Sequence, residues 1–362
     1  MRLLWVEILK LLAVFGVILL HVSAPYVVPF ENTGHWWTGN IYDSLTRWCV
    51  PMFVMVSGAL VLPGAHNIPF SRFLLVRVRR ILVPFFIWSA IYFFYRSHIK
   101  GEELFFTGFL PMFISEPVFY HLWFVYMLFT LYLFSPVISA FLNGVLHKFA
   151  WYLIVIWFCW ASFLPVLHVP LNLETYFMTD MNEYSALKLS GYFLLGFLLR
   201  EAFVRDKSHL VLLLLVFLTG GAATAIGTFL LSLHTGEFNH FFYNYFSANV
   251  VLMTLSLFLL VKSIFNLSGK NAAENTRLTA LCSQNLLQKA GSCVFGIYLI
   301  HALILELFRD ESLGFVIDHT SFFGTGLPPA AGIPLFAASI FLFSLIVILI
   351  LRAVPGLRNL IA

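Results

Sequence analysis

Residues 210–233 read LVLLLLVFLTGGAATAIGTFLLSL, 24 positions without one charged side chain. As an α-helix this stretch is roughly 36 Å long at ~1.5 Å per residue, enough to cross a hydrocarbon layer of about 30 Å. A helix closes its backbone hydrogen bonds within itself, so it can cross where water cannot serve as a partner. The composition around this stretch agrees with a membrane chain. Of 362 residues, 60% are apolar, 18% are aromatic (41 of them Phe) and only 10% are charged, where soluble domains carry about a quarter. A disordered chain, a coiled coil and an ordinary soluble enzyme are excluded, because so few charges could not cover a soluble domain of this size.

A window of about 19 residues finds further apolar segments on both sides. Together they make ten predicted spans, at 4–24, 46–62, 81–97, 121–141, 149–166, 185–201, 210–233, 246–265, 291–308 and 333–353. Pro84 falls in the first turn of the third, where proline is tolerated. Ten spans put both termini on one side. With that side cytoplasmic, 16 of the 21 Lys and Arg lie inside and 13 of the 17 Asp and Glu outside, as the positive-inside rule requires. The expected fold is an all-α membrane protein, a bundle of about ten transmembrane helices with both termini cytoplasmic. The loops are too short for another domain, so 1–362 reads as one integral-membrane domain with no appended soluble domain.

The apolar run 11–20 follows Lys10, but Glu7 stands where a signal peptide carries only positive charge, so this segment is expected to be a retained first helix. Cys49, Cys159, Cys282 and Cys293 show no CxxC or Cys/His spacing, which points to free thiols and to no metal site.

Ionisable groups inside a bilayer are costly and point to function. The first helix carries Glu7, Lys10 and His21. Eleven residues separate Lys10 from His21, about 1100° at 100° per residue, so both lie on one face some 16 Å apart along the axis. Lys10 falls near the cytoplasmic end and His21 near the outer end. A snorkelling lysine with an interfacial histidine accounts for the pair equally well. Arg72, Arg77, Arg79 and Arg80 lead into the third span, and Arg77 and Arg80, at i and i+3, can share a face. Guanidinium forks suit phosphate. Setting topology or binding anionic lipid is the commoner role of such a cluster. The outer half adds Arg47, then His121 and Trp123, which also fit an interfacial aromatic belt. His301 falls near the midplane, where its ring nitrogens need partners, with Tyr298 three residues before it. Glu306, five residues after His301, is turned about 140° away and is expected to pair with Arg309.

These residues resemble a family. Glu7-x-x-Lys10-x10-His21, the segment Arg47 to Gly58 with Pro51 and Ser57, Arg77-x-x-Arg80 before Pro84, Phe119-Tyr120-His121-Leu122-Trp123-Phe124, and Gly296-Ile297-Tyr298-Leu299-Ile300-His301 are similar in order and spacing to the blocks of the acyltransferase-3 family of integral-membrane O-acyltransferases. The small, single-domain members are the most alike. Lys10 stands where that family usually has Arg, and Glu7 where it has Asp. The resemblance implies an acyl-CoA donor, acetyl-CoA by default, on the cytoplasmic side, with no metal. The acceptor it implies is a surface glycan or lipid-linked saccharide at a bacterial cytoplasmic (inner) membrane. Lys10, Arg77 and Arg80 would then hold the nucleotide head. His21 would act as general base or carry the acyl group. Arg47, His121 or Trp123 would position the acceptor or stabilise the oxyanion, and Tyr298 and His301 would line the tunnel, with Glu7 a further candidate. No nucleic-acid partner is implied. The rival reading is a transporter or flippase for an amphiphilic or lipid-linked substrate, whose usual pointer is a matched pair of broken helices; Gly220-Gly221 has no clear counterpart.

Overall fold

The computed structural model describes residues 4–28, 30–144, 148–165, 185–204, 206–270, 284–309, 327–357 and 360, with side chains throughout except at 266–270 and 284–285. Among the described residues the chain is helical, with no strand. In chain order the helices are α1 (Leu4–Ser23), α2 (Gly34–Ser44), α3 (Cys49–Val61), α4 (Phe70–Arg77), α5 (Val83–Phe94), α6 (Phe109–Ser115), α7 (Trp123–Asn143), α8 (Ala150–Phe158), α9 (Ala186–Leu198), α10 (Lys207–Thr235), α11 (Ala248–Lys270), α12 (Gln284–Ser292), α13 (Val294–Arg309) and α14 (Pro329–Ala353). Local chemistry sets several ends. Thr33 caps α2 by accepting from the Trp36 N–H at 3.2 Å; a capping hydroxyl satisfies one of the orphan N–H groups there. Pro329 opens α14, where its missing N–H is harmless. Gly236, at φ 77°, closes α10 in the left-handed conformation that glycine adopts without strain.

Each of the ten predicted apolar segments overlaps a helix. Among the described residues six helical stretches are long and apolar enough to cross a membrane, or seven if the bent pair α12–α13 is one span, and α8 and α9 are shorter apolar helices. The protein is an all-α membrane protein; length alone stops short of ten crossings because several apolar helices are short or broken. The short α2 and α6 were not expected. The 61° bend between α12 and α13 is a broken helix that no second bent pair matches among the described residues. Cys49 and Cys293 are buried free thiols and Cys159 an exposed one. Cys282 and most of the connections 167–184 and 309–332, expected on the outer side, lie outside the described residues.

The helix quoted at the outset is peripheral. Only 22% of its apolar window is buried within the protein, against 61% for the span containing α1. α1 packs on α2, α3, α11, α12, α13 and α14, so its ends meet most of the molecule. α3 and α9 approach backbone to backbone. A Cβ at Gly58 would strike the Phe193 carbonyl, and one at Gly196 the Met55 carbonyl; small residues permit such contact between membrane helices. Gly220 and Gly221 have the same use, making room for Met253 and Leu45.

Candidate active site at the C-terminal end of α1

Three separate parts of the chain bring histidines together. His21 lies in the last turn of α1, His121 in the 3-10 turn that opens α7, and His301 in the middle of α13. The His21 and His301 rings stack at 5.5 Å and 20°, and His301 meets His121 edge to face at 5.0 Å. Tyr120 packs edge-on to His21 at 5.0 Å, and Tyr298 lies 5.6 Å from both His121 and His301. His121 and His301 are 2% and 0% exposed, whereas His21 is half-buried. His21 is therefore the most exposed member of the trio.

Hydrogen bonds fix the two buried rings. His301 Nδ1 lies 2.6 Å from the Tyr298 carbonyl. A carbonyl only accepts, so Nδ1 carries the proton and Nε2 the lone pair. His121 Nε2 lies 3.4 Å from the Leu299 carbonyl, which gives the opposite tautomer with its lone pair on Nδ1. The Tyr298 hydroxyl donates to the His121 carbonyl, clamping α13 to the start of α7. The Tyr92 hydroxyl donates to the Leu299 carbonyl at 2.8 Å and accepts from the Leu303 N–H at 2.9 Å. Those are the two groups that an α-helix would join directly, so Tyr92 inserts into that turn of α13, with its ring 5.1 Å from that of His121. Arg309 donates to the His21 carbonyl at 3.0 Å, a cation at the C-terminal end of α1, where the helix dipole favours it.

The predicted cations occupy other neighbourhoods. Lys10 pairs with Glu7 at 2.6 Å and donates to the Gly291 carbonyl at 3.1 Å, with 23% of its side chain exposed. Arg352, not singled out from the sequence, donates to Ser292 Oγ and Cys293 Sγ beside it. Together they hold the break between α12 and α13. Arg77 is half-buried over the rings of Phe73 and Tyr132, 4.9 Å from each, while Arg80 is exposed. The shared face expected of this pair is altered by a π-helical segment, Val78–Leu82, whose wider turn changes the angle between neighbours. Arg47 forms an ion pair with the buried Asp43 and lies 4.0 Å over the Tyr243 ring. Trp123 stacks with Tyr245 at 6.3 Å and, with Tyr120, lines a cavity of about 1340 Å³ along α7. Glu306 pairs with Lys100 at 3.3 Å and not with Arg309 as expected, because Arg309 turns to the end of α1.

The histidines therefore converge while the cations do not. Against known families, the profile described as an acyltransferase domain, that of acyltransferase-3, matches residues 3–353. The chain belongs to the acyltransferase-3 family. Neither a comparison with curated proteins nor one with solved structures returned a match. Membership makes this a membrane acyltransferase. For an acyltransferase-3 chain, Tyr92, Tyr120 and Arg309 are the neighbours of the histidines that sequence reasoning did not assign. Tyr120 stood inside a quoted motif, but nothing local marks Tyr92, whose importance comes from a contact 211 residues away in sequence.

Proposed function

We propose that this protein moves an acyl group, acetyl by family resemblance, from cytoplasmic acyl-CoA to a hydroxyl of a surface glycan or its lipid-linked precursor. The setting is a bacterial cytoplasmic membrane, with 1–362 acting as one membrane domain and both termini inside. The likeness to small single-domain members, such as the enterobacterial common antigen O-acetyltransferase, supports this reading. The observation that carries it is the half-buried His21 stacked on the buried His301, at the opposite end of α1 from the cationic residues 10, 77 and 80 on the charge-based orientation. About 16 Å of helix separates Lys10 from His21, a distance suited to the extended arm of CoA.

His21 is the general base. It takes the proton of the acceptor hydroxyl as that oxygen attacks the thioester carbonyl, the step that needs help near neutral pH. The tetrahedral intermediate collapses with loss of the thiolate, which recovers the proton. His121, Tyr298 and His301 form the wall behind His21. Arg77 and Arg80 attract the polyanionic head of CoA, and Lys10 with Glu7 frames the inner end of α1. Trp123 faces the groove through which an amphiphilic acceptor approaches, and Arg47 contributes positive charge from its seat on Asp43. An acyl-His21 intermediate is the competing course.

The test is His21→Ala in membranes supplied with labelled acetyl-CoA. Loss of label transfer by roughly two to four orders of magnitude is expected. Transfer near the wild-type rate at normal protein level overturns the assignment. Label that remains on wild-type protein after a rapid quench, and is absent in His21→Ala, favours the acyl-histidine course. Comparing surface glycans by mass, with and without the protein, identifies the acceptor.

A further inference from the structure

The cavity of about 1340 Å³ along α7 exceeds the ~300–1,000 Å³ of an ordinary small-molecule pocket. On α7 its lining runs from Trp123 to Phe141, roughly 27 Å of helix at ~1.5 Å per residue. That length is most of a hydrocarbon core of about 30 Å, so the tail of a phospholipid, confined to one leaflet, fills only about half of it. The two ends differ. Ser115, Glu116, Tyr120 and Ser185 line one end, and Phe134, Val137, Phe141 and Leu153 line the other. Between them Tyr126, Thr130 and Ser190 carry hydroxyls, but each donates to a backbone carbonyl, that of Phe113, Tyr126 and Leu187 respectively. The interior therefore presents hydrocarbon. Phe134 and Val137 are 60% and 71% exposed, which leaves the groove open sideways, where the bilayer lies. At the polar end the exposed Glu116 carboxylate accepts hydrogen bonds and gives none, which suits the hydroxyls of a sugar. Tyr120 joins this end to the proposed base. Its ring lines the groove, is 44% exposed and packs 5.0 Å from the His21 ring.

We infer that the groove along α7 binds the acceptor, holding the single long hydrocarbon chain of a lipid-linked saccharide while its sugar rests on Tyr120 beside His21. This narrows the acceptor from a surface glycan or its precursor to the lipid-linked form, and it rests on the reading of His21 as the base. Length is what selects the occupant. Lipid tails are as apolar as the groove, so no hydrophobic gain draws a chain out of the bilayer, and retention depends on close packing. A chain as long as the groove touches its wall throughout, whereas a shorter tail leaves wall atoms without partners. A finished polymer that has lost its lipid has nothing to place there. The exposed ring of Tyr120 offers the sugar an apolar face with a polar tip, and it stands where the chain ends and the base begins.

The test uses a long-chain polyprenyl glucoside carrying a diazirine in its chain, added to the full chain in nanodiscs of dioleoyl phosphatidylglycerol with no acyl donor present. Illumination and peptide mapping should place the label on residues 123–141 of α7 and 186–194 of α9. Little should fall on α10, whose largely unburied surface measures chance contact. Ser190→Trp puts a large side chain into the groove from a half-buried position and should lower groove labelling about tenfold, the effect of a steric conflict; Ser190→Ala should not. Ala186→Trp, which enters the same groove one turn earlier, repeats the measurement if Ser190→Trp does not fold. Equal labelling of α7 and α10 overturns the proposal, as does labelling unchanged in both tryptophan variants. In a second arm, cell membranes receive a pulse of labelled acetyl-CoA. Label should enter the solvent-extractable, lipid-linked fraction before the polymer, and do so about tenfold more slowly in Ser190→Trp. Label arriving first in lipid-free polymer overturns the lipid site and leaves the acyltransferase reading intact. Groove labelling with no transfer at all removes the acyltransferase reading and leaves the lipid site standing.

Discussion

Arg309, the last residue of α13, donates a hydrogen bond to the backbone carbonyl of His21, at the end of α1, over 3.0 Å. The two residues are 288 apart in sequence. One guanidinium therefore fixes where the proposed base stands relative to His301 on the same helix as Arg309. Arg309→Ala is expected to lower kcat by roughly a hundredfold, the effect of misplacing a reacting group by about 1 Å, and to leave the KM for acetyl-CoA nearly unchanged. Added guanidinium should restore part of the rate; a general unfolding would not respond to it. An active Arg309→Ala enzyme would show that the end of α1 holds itself.

At the other end of α1 the Glu7–Lys10 pair closes on Gly291, where an added Cβ would run into the Glu7 carboxylate. Gly291→Ala should destabilise the protein by about 1–3 kcal/mol, as overpacking does, read as a lowered melting temperature in detergent. With Glu7→Ala already present the obstacle is gone, so adding Gly291→Ala should cause little further loss. Full additivity would contradict this account.

The Asp43 carboxylate is buried against Arg47, whose side chain is 16% exposed. Removing one partner leaves a charge without its counterion, at a cost of about 3–5 kcal/mol. Asp43→Ala should therefore unfold at a clearly lower temperature than wild type, and Asp43→Ala/Arg47→Ala should recover part of the difference. A double variant that loses the sum of the two single losses would show that the pair is not coupled.

In the loop after α5, Arg96 holds Glu102 through bonds of 2.6–3.1 Å, and that contact draws the Glu102 carboxyl below its ordinary value of 4.5. A depressed carboxylate stabilises fully above its unfolded value and loses its contribution as pH falls through the folded one. The loop should accordingly stay closed from neutral pH down to about 4.5 and open below it. Because the pair is largely exposed, the effect is local and weakened by salt. Amide exchange at Glu102, whose N–H donates to the Arg96 carbonyl at 3.1 Å, should accelerate on acidification beyond the intrinsic trend. In Glu102→Gln it should already be fast at pH 7.

Much of the fold is legible in the sequence, because a bilayer demands long charge-free runs and sorts cations by side. The ten apolar segments all become helical on that ground. α2 was missed because its Trp, Asn and Asp carry no long apolar run, and its buried Asn40 is met by the Tyr243 hydroxyl, which donates to Asn40 Oδ1 from 203 residues away. The altered Arg77–Arg80 face was missed because an i, i+3 rule assumes α-geometry, and here the turn is a π-helix.

The sequence by itself determined that this chain lives in a membrane, which residues are too polar to be there without reason, and which family's blocks they match. Only the tertiary structure decided which of them meet. Charge pattern and helical period act along one chain segment, whereas ring stacking and a guanidinium reaching a carbonyl depend on how α1, α7 and α13 pack. That packing brought His21, His121 and His301 to one place, whereas the Glu7–Lys10 and Asp43–Arg47 pairs, at i,i+3 and i,i+4, are local contacts that helical spacing allows.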